Sequence, residues 1–134
     1  MMQATSTRIP TVLVYALRDD EVLLIKRNKE PNLGQWIAPG GKIELNESPR
    51  EAAIREMREE TALIVEDLAW RGLCTEVSPQ PDWQWMLFIY VTRDFHGALR
   101  PDLREGALSW VKLHVYLSAA EQQAIGRPDP NLPI

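Results

Sequence analysis

From Thr11 onward the chain alternates short apolar runs with charged or turn-forming breaks. Thr11–Leu17, TVLVYAL, is nearly all apolar and rich in β-branched residues, as expected of a central strand covered on both faces. Asp19-Asp20 turns the chain, and Glu21–Lys26, EVLLIK, returns as its hairpin partner. A charged loop, Arg27–Asn32, leads to Trp36–Pro39, a short predicted strand delivering Gly40 and Gly41 as a turn. Leu63–Thr75 reads as a strand or a bent pair of strands, with Trp70 and Leu73 available for packing. Glu76–Asp82, with Pro79 and Pro81, is a rim loop. In Trp83–Thr92 the alternation sets Trp83, Trp85, Leu87, Ile89 and Val91 against Gln84, Met86, Phe88 and Tyr90, so both faces are apolar. Asp94–Asp102 is turn-rich, with His96 a surface histidine, and a strand follows through Trp110 and Val111. Met1–Arg8 is polar and expected to fray, and the tail from Arg127, with three prolines, to be extended.

Two stretches read as helices. Ser48 is placed to cap the first, Pro49 suits the first helical position, and Glu51 closes a capping box onto Ser48. At about 100° per residue, Ala53, Ile54, Met57 and Thr61 share one apolar side, while Ala52, Glu56, Glu59 and Glu60 form the adjacent stripe. The second helix is expected over Ser118–Ile125, capped by Ser118 with Glu121 and ended by Gly126. Strands, a long helix, more strands and a terminal helix predict an α/β domain with a mixed sheet between helices.

Composition narrows the class. The chain has 134 residues, 45% apolar and 25% charged, which fits one soluble domain over 1–134. The net charge of −4 argues against a nucleic-acid polymer as partner. Cys74 is the single cysteine, which excludes an internal disulfide and is expected in the core; a reducing cytoplasmic setting follows. No apolar run has the length of a membrane span, and the N-terminus lacks the layout of a signal peptide.

The chemistry concentrates between Gly40 and Leu63. Glu56, Glu59 and Glu60 stand at i, i+3 and i+4, where like charges repel. A divalent cation would relieve that repulsion, and hard oxygen donors suit Mg²⁺ or Mn²⁺. A Glu-rich helix face alone is ordinary solvated surface; the surrounding pattern decides. Gly41, five residues, Glu47, seven residues, then Arg55-Glu56-Met57-x-Glu59-Glu60-x-Ala62-Leu63 closely resembles the Nudix box, which departs only in having Gly where this chain has Ala62. Ala resists the left-handed conformation that Gly adopts freely, so the departure bears on the helix exit rather than on the carboxylates.

The resemblance implies a Nudix-type α/β/α sandwich and a hydrolase of phosphoanhydride bonds, MutT-like in its small size and its VLLIKR and WIAPGGKIE runs. It implies that Glu56, Glu59, Glu60 and the Gly40 carbonyl hold Mg²⁺, with Mn²⁺ a substitute, that Glu59 serves catalysis, and that Glu47 with Arg55 braces the loop on the helix. Arg27 and Lys42 become phosphate contacts, Trp83 and Trp85 base-stacking candidates, and Glu105 a further catalytic carboxylate from outside the box. The expected substrate is a nucleoside triphosphate such as 8-oxo-dGTP, cleaved to monophosphate and pyrophosphate, although apolar Ile37 lies where some oxidised-purine hydrolases carry a polar residue. Two rivals stand. ADP-ribose or a dinucleoside polyphosphate is favoured by Pro79, sixteen residues beyond Leu63, but only Met1–Pro10 precede the first strand, where ADP-ribose enzymes commonly carry a dimerisation region. A catalytically silent nucleotide-binding module is disfavoured by the intact Glu56, Glu59 and Glu60. Monomer and homodimer both remain open.

Overall fold

The computed structural model describes residues 6–28, 33–77, 82–100 and 106–124, the side chains of 119–124 excepted. Its elements are β1 (Thr7–Arg18), β2 (Glu21–Arg27), β3 (Trp36–Ile37), β4 (Gly40–Lys42), α1 (Pro49–Thr61), β5 (Ile64–Val77), β6 (Trp83–His96), β7 (Gly106–Lys112) and α2 (Leu113–Ala124). The seven strands make one mixed sheet with the path β3-β2-β1-β6-β5; β4 also pairs with β1, and β7 with β2. Only β1 with β6 is parallel, from Thr7↔Trp83 to Ala16↔Thr92, among these pairings.

The β1 strand is central, as its apolar run predicts. Its other edge is shared: the middle, Thr11–Leu13, pairs with β4 and the end, Leu17–Arg18, with β2. Alternation then splits the core in two. Val12, Val14 and Ala16 pack with Leu23, Tyr90 and the α1 residues Ala52, Ala53 and Met57 on one face. On the other, Tyr15 and Leu17 join Val22, Leu24 and Val111 beneath Leu113 and Tyr116 of α2. The two helices therefore cover opposite faces, and the layered mixed sheet expected from the sequence is the one observed. Among the described residues no helix is long and apolar enough to cross a membrane.

Several local expectations change. Gly40 and Gly41 form no turn: with Lys42 they are β4, antiparallel to β1. Their need for glycine is close approach, since a Cβ on Gly40 would lie 1.9 Å from the Val12 carbonyl oxygen. The second helix begins at Leu113, where Leu113 N–H bonds the Asp20 carbonyl, so Ser118 is an internal helical residue rather than a cap. Gly126 lies outside the described residues. The β6 strand runs on through Asp94 to His96, so the turn starts only at Gly97. Ala52 is fully buried, part of the core rather than of the carboxylate stripe. Cys74, Trp70 and Leu73 are exposed, because β5 is the end strand of the sheet and, among the described residues, its second half has no layer above it.

The α1 helix starts as the sequence indicates: Ser48 Oγ accepts from Glu51 N–H while the Glu51 carboxylate accepts from Ser48 N–H. At its exit Ala62 does adopt the left-handed conformation, φ 69° and ψ 5°, with its N–H bonded to the Arg58 carbonyl. Thr61 secures the turn, its hydroxyl bonding the Met57 carbonyl and accepting from Leu63 N–H. Since a left-handed non-glycine residue costs about 1–2 kcal/mol and the added freedom of an unfolded glycine offsets about 0.4–1 of that, Ala62→Gly is expected to stabilise the protein by roughly 0.5–1 kcal/mol. Thermal unfolding would show a rise of a few degrees; an unchanged or lower Tm would contradict the strain at this cap.

Candidate active site

The capping box sets the start of α1, and the helical period then brings Arg55, Glu56, Glu59 and Glu60 against β4 and the loop before the helix. Arg55 is the centre of the cluster. Its Nε and Nη2 grip Glu47 through both carboxylate oxygens, at 2.6 and 2.9 Å. Nη1 donates to Glu56 at 2.8 Å and to Glu59 at 3.1 Å, and Nη2 also reaches the Lys42 carbonyl at 3.1 Å. Glu44 approaches to 3.9 Å. The guanidinium is only 16% exposed, so these charge-assisted bonds act with little competition from water.

The paired β4 backbone contributes directly. Gly40 N–H donates to Glu60 Oε2 at 3.1 Å, tying the last carboxylate of the helix to the strand. Gly41 lies against Glu56, where a Cβ would fall 2.5 Å from the carboxyl carbon. The glycine at this second position thus makes room for a carboxylate, not for a bend.

These contacts shift the ionisations. Hydrogen bonds from Arg55, with one from Glu44 N–H, hold the Glu47 carboxyl down to about 2. The same pairing with Glu47, and then with Glu56, raises the Arg55 guanidinium above its usual range despite its burial. Arg55 therefore stays cationic and Glu47 anionic at any working pH.

Against one guanidinium stand Glu47, Glu56, Glu59 and Glu60. Among the described residues no three His, Cys, Asp or Glu side chains already form a cation cage; Glu56 and Glu59 turn to Arg55 and Glu60 to Gly40 N–H. The donor chemistry nonetheless fits a hard divalent ion: oxygen donors only, in anionic excess, on one stripe of a rigid helix.

The other predicted residues are placed less closely. Arg27 ends β2, half-buried, opposite Gly106 of β7. Lys42 ends β4, exposed, next to the Arg55 cluster through its carbonyl. Trp83 and Trp85 meet edge to face at 5.8 Å. They alternate with Phe88 and Tyr90, which pack under α1, so they lie on the opposite sheet face and are not brought together with the carboxylates. Glu105 and Pro79 lie outside the described residues. Sequence reasoning missed that Arg55 binds Glu56 and Glu59 as well as Glu47, although the i, i+4 spacing of Arg55 and Glu59 was a usable signal. It also missed the part played by Glu44 and the Gly40 N–H, which no local pattern marks.

The depressed Glu47 ionisation has a stability consequence of fixed sign. A carboxyl lower in the fold than its ordinary 4.5 contributes stability that is complete above that value and lost as pH falls toward about 2. The difference in denaturation midpoint between wild type and Glu47→Gln should therefore stay constant above about pH 5.5 and shrink through this acid window. A difference that persists undiminished to pH 2 would contradict the assignment.

Comparison with known proteins agrees with this geometry. The NUDIX domain family model matches residues 7–130. The Nudix hydrolase YvcI of Bacillus subtilis is 38% identical over 95 residues, 69% of this chain and 58% of that protein. An ADP-ribose pyrophosphatase of Methanocaldococcus jannaschii is 31% identical over 93 residues, 68% of this chain and 55% of its own length. The chain thus spans somewhat more than half the length of these relatives. A solved MutT NUDIX hydrolase from Burkholderia pseudomallei superposes with a TM-score of 0.75 at 28% identity, covering 81% of this chain and 86% of that one. The box on α1, the layered sheet that carries it and a family match along nearly the whole sequence lead to one assignment: this chain belongs to the Nudix family.

Proposed function

We propose that the chain is a divalent-metal-dependent pyrophosphohydrolase that cleaves a nucleoside triphosphate to the monophosphate and pyrophosphate, with oxidised purine nucleotides such as 8-oxo-dGTP the preferred class. The observation that carries the reading is the carboxylate stripe of α1 held in place by Arg55 and the β4 backbone. Glu56, Glu59, Glu60 and the Gly40 carbonyl are the groups to hold Mg²⁺, or Mn²⁺ in its place. When bound, the ion neutralises phosphate charge and acidifies water.

The chain's own residues do the rest. Glu47 fixes Arg55, and Arg55 fixes the rotamers of Glu56 and Glu59. Gly40 N–H orients Glu60. Glu59, the most open of the three stripe carboxylates of α1 at 54% exposure, accepts the proton of the attacking water. The new bond forms between water oxygen and phosphorus, and the bridging P–O bond breaks with its electron pair leaving on pyrophosphate. Arg27, at the end of β2, and Lys42, at the end of β4, are the candidates to meet outer phosphate oxygens, and Glu105 is a further candidate base. The net charge of −4 supports a small anionic substrate met through a metal over a polymeric one, and the lone exposed thiol supports a reducing, cytoplasmic setting.

A second reading, hydrolysis of ADP-ribose, is favoured by the likeness to the archaeal ADP-ribose pyrophosphatase. The two separate by product analysis with Mg²⁺ over ordinary and oxidised nucleoside triphosphates, ADP-ribose and dinucleoside polyphosphates. Pyrophosphate and a monophosphate from an oxidised purine, at far higher kcat/KM than from its normal counterpart, are expected; turnover confined to ADP-ribose would replace this reading by the second. Glu59→Gln and Glu60→Gln should each lower kcat on the order of 10²-fold or more with the fold intact. Unchanged turnover in both would refute the site.

A further inference from the structure

The β5 strand closes one side of the sheet, and among the described residues nothing pairs with its outer edge. A free edge of 14 residues is a template for another strand unless it is blunted. The first half is blunted: the register against β6 shifts between Val65 and Asp67, Asp67 and Ala69, and Trp70 and Gly72, and the strand carries Glu66 and Asp67 there. The second half is not. From Gly72↔Ile89 to Val77↔Gln84 the pairing is regular, with neither proline nor lysine. Trp70 is 58% and Leu73 48% exposed.

The faces follow from the partners. Trp70 and Leu73 stand opposite Tyr90 and Phe88, on the α1 side. Cys74 and Glu76 stand opposite Leu87 and Trp85, on the other side. Arg71 is the extra residue of the last shift; it shares with Gly72 the place opposite Ile89, and so the face of Cys74 and Glu76. Neither Arg71 nor Glu76 has an ion-pair partner among the described residues.

When one strand pairs antiparallel with a second copy of itself about an axis normal to the sheet, one residue faces its own copy and the others pair at equal steps, faces preserved. Centred on Cys74, that operation sets Leu73 against Thr75 and the Arg71-Gly72 step against Glu76, twice. Trp70 and Leu73 of both copies then gather on the α1 side. Centring on Leu73 puts Glu76 opposite Ala69, and centring on Thr75 puts it opposite Cys74, so both neighbouring registers leave the charges unmatched.

We propose that two copies of this chain associate through their β5 edges, antiparallel and centred on Cys74, continuing the sheet across a two-fold axis with Arg71 of each copy paired to Glu76 of the other. The carboxylate cluster of α1 takes no part in the contact.

The test is sedimentation equilibrium of the full chain with circular dichroism as the fold control. A mass twice the 15.3 kDa of one chain is expected. Glu76→Arg should weaken association about tenfold or more by opposing like charges at two places, and adding Arg71→Glu should restore it. Mild oxidation should trap a covalent dimer that Cys74→Ser cannot form. A monomer at every concentration overturns the proposal, as does a dimer indifferent to Glu76→Arg, which would use another face, or one that the double reversal fails to restore.

Discussion

The Arg55 guanidinium is the interaction on which the site depends. Four glutamates close to one another repel, and the helix that carries three of them would be weakened by its own charges. Arg55 answers this from within the same helix: it takes both oxygens of Glu47 on one side and Glu56 and Glu59 on the other. Lysine would supply the charge but not the planar fork that serves several acceptors at once. The result is a stripe whose side chains are held by fixed partners, and fixed orientation is what the proposed chemistry requires.

That arrangement needs the sheet. The helix sits correctly only because β4 lies tight against β1, and the tightness requires a residue without a side chain at Gly40, where a Cβ would lie 1.9 Å from the Val12 carbonyl oxygen. The neighbouring Gly41 leaves space for the Glu56 carboxylate, and Gly40 N–H ties Glu60. One three-residue strand thus connects core packing to the chemistry. The central strand β1 supports it from below, with Val12 and Val14 buried against Met57 and Ala53.

What was legible in the sequence was what local physics specifies. The start of α1 is written in Ser48, Pro49 and Glu51, whose bonds close within one turn, and the structure forms each of them. The alternation in β1 and β6 identified core strands and, with the helices, the layered fold. Features set by distant partners were hidden. Gly40 and Gly41 look like a turn in isolation and become a strand only because β1 lies beside them. The Ser118-Glu121 signature is a sound local cap, overridden because α2 continues directly from β7 and is anchored by the Asp20 carbonyl. Cys74 and Trp70 have the composition of core residues, and only strand order reveals that β5 is an edge. In the site, the box disclosed the carboxylates, while the reach of Arg55 to Glu56 and Glu59 depended on rotamers that spacing does not determine.

The central claim is that the Arg55 fork, and not merely its charge, arranges the carboxylates for a divalent ion. Titration of Mn²⁺, followed by electron paramagnetic resonance, compares wild type with Arg55→Lys at equal net charge. Loss of an orienting partner beyond the ligands typically weakens a metal site about 10- to 100-fold, and a loss of that size is the predicted result. Mn²⁺ affinity in Arg55→Lys equal to that of the wild type would contradict the account.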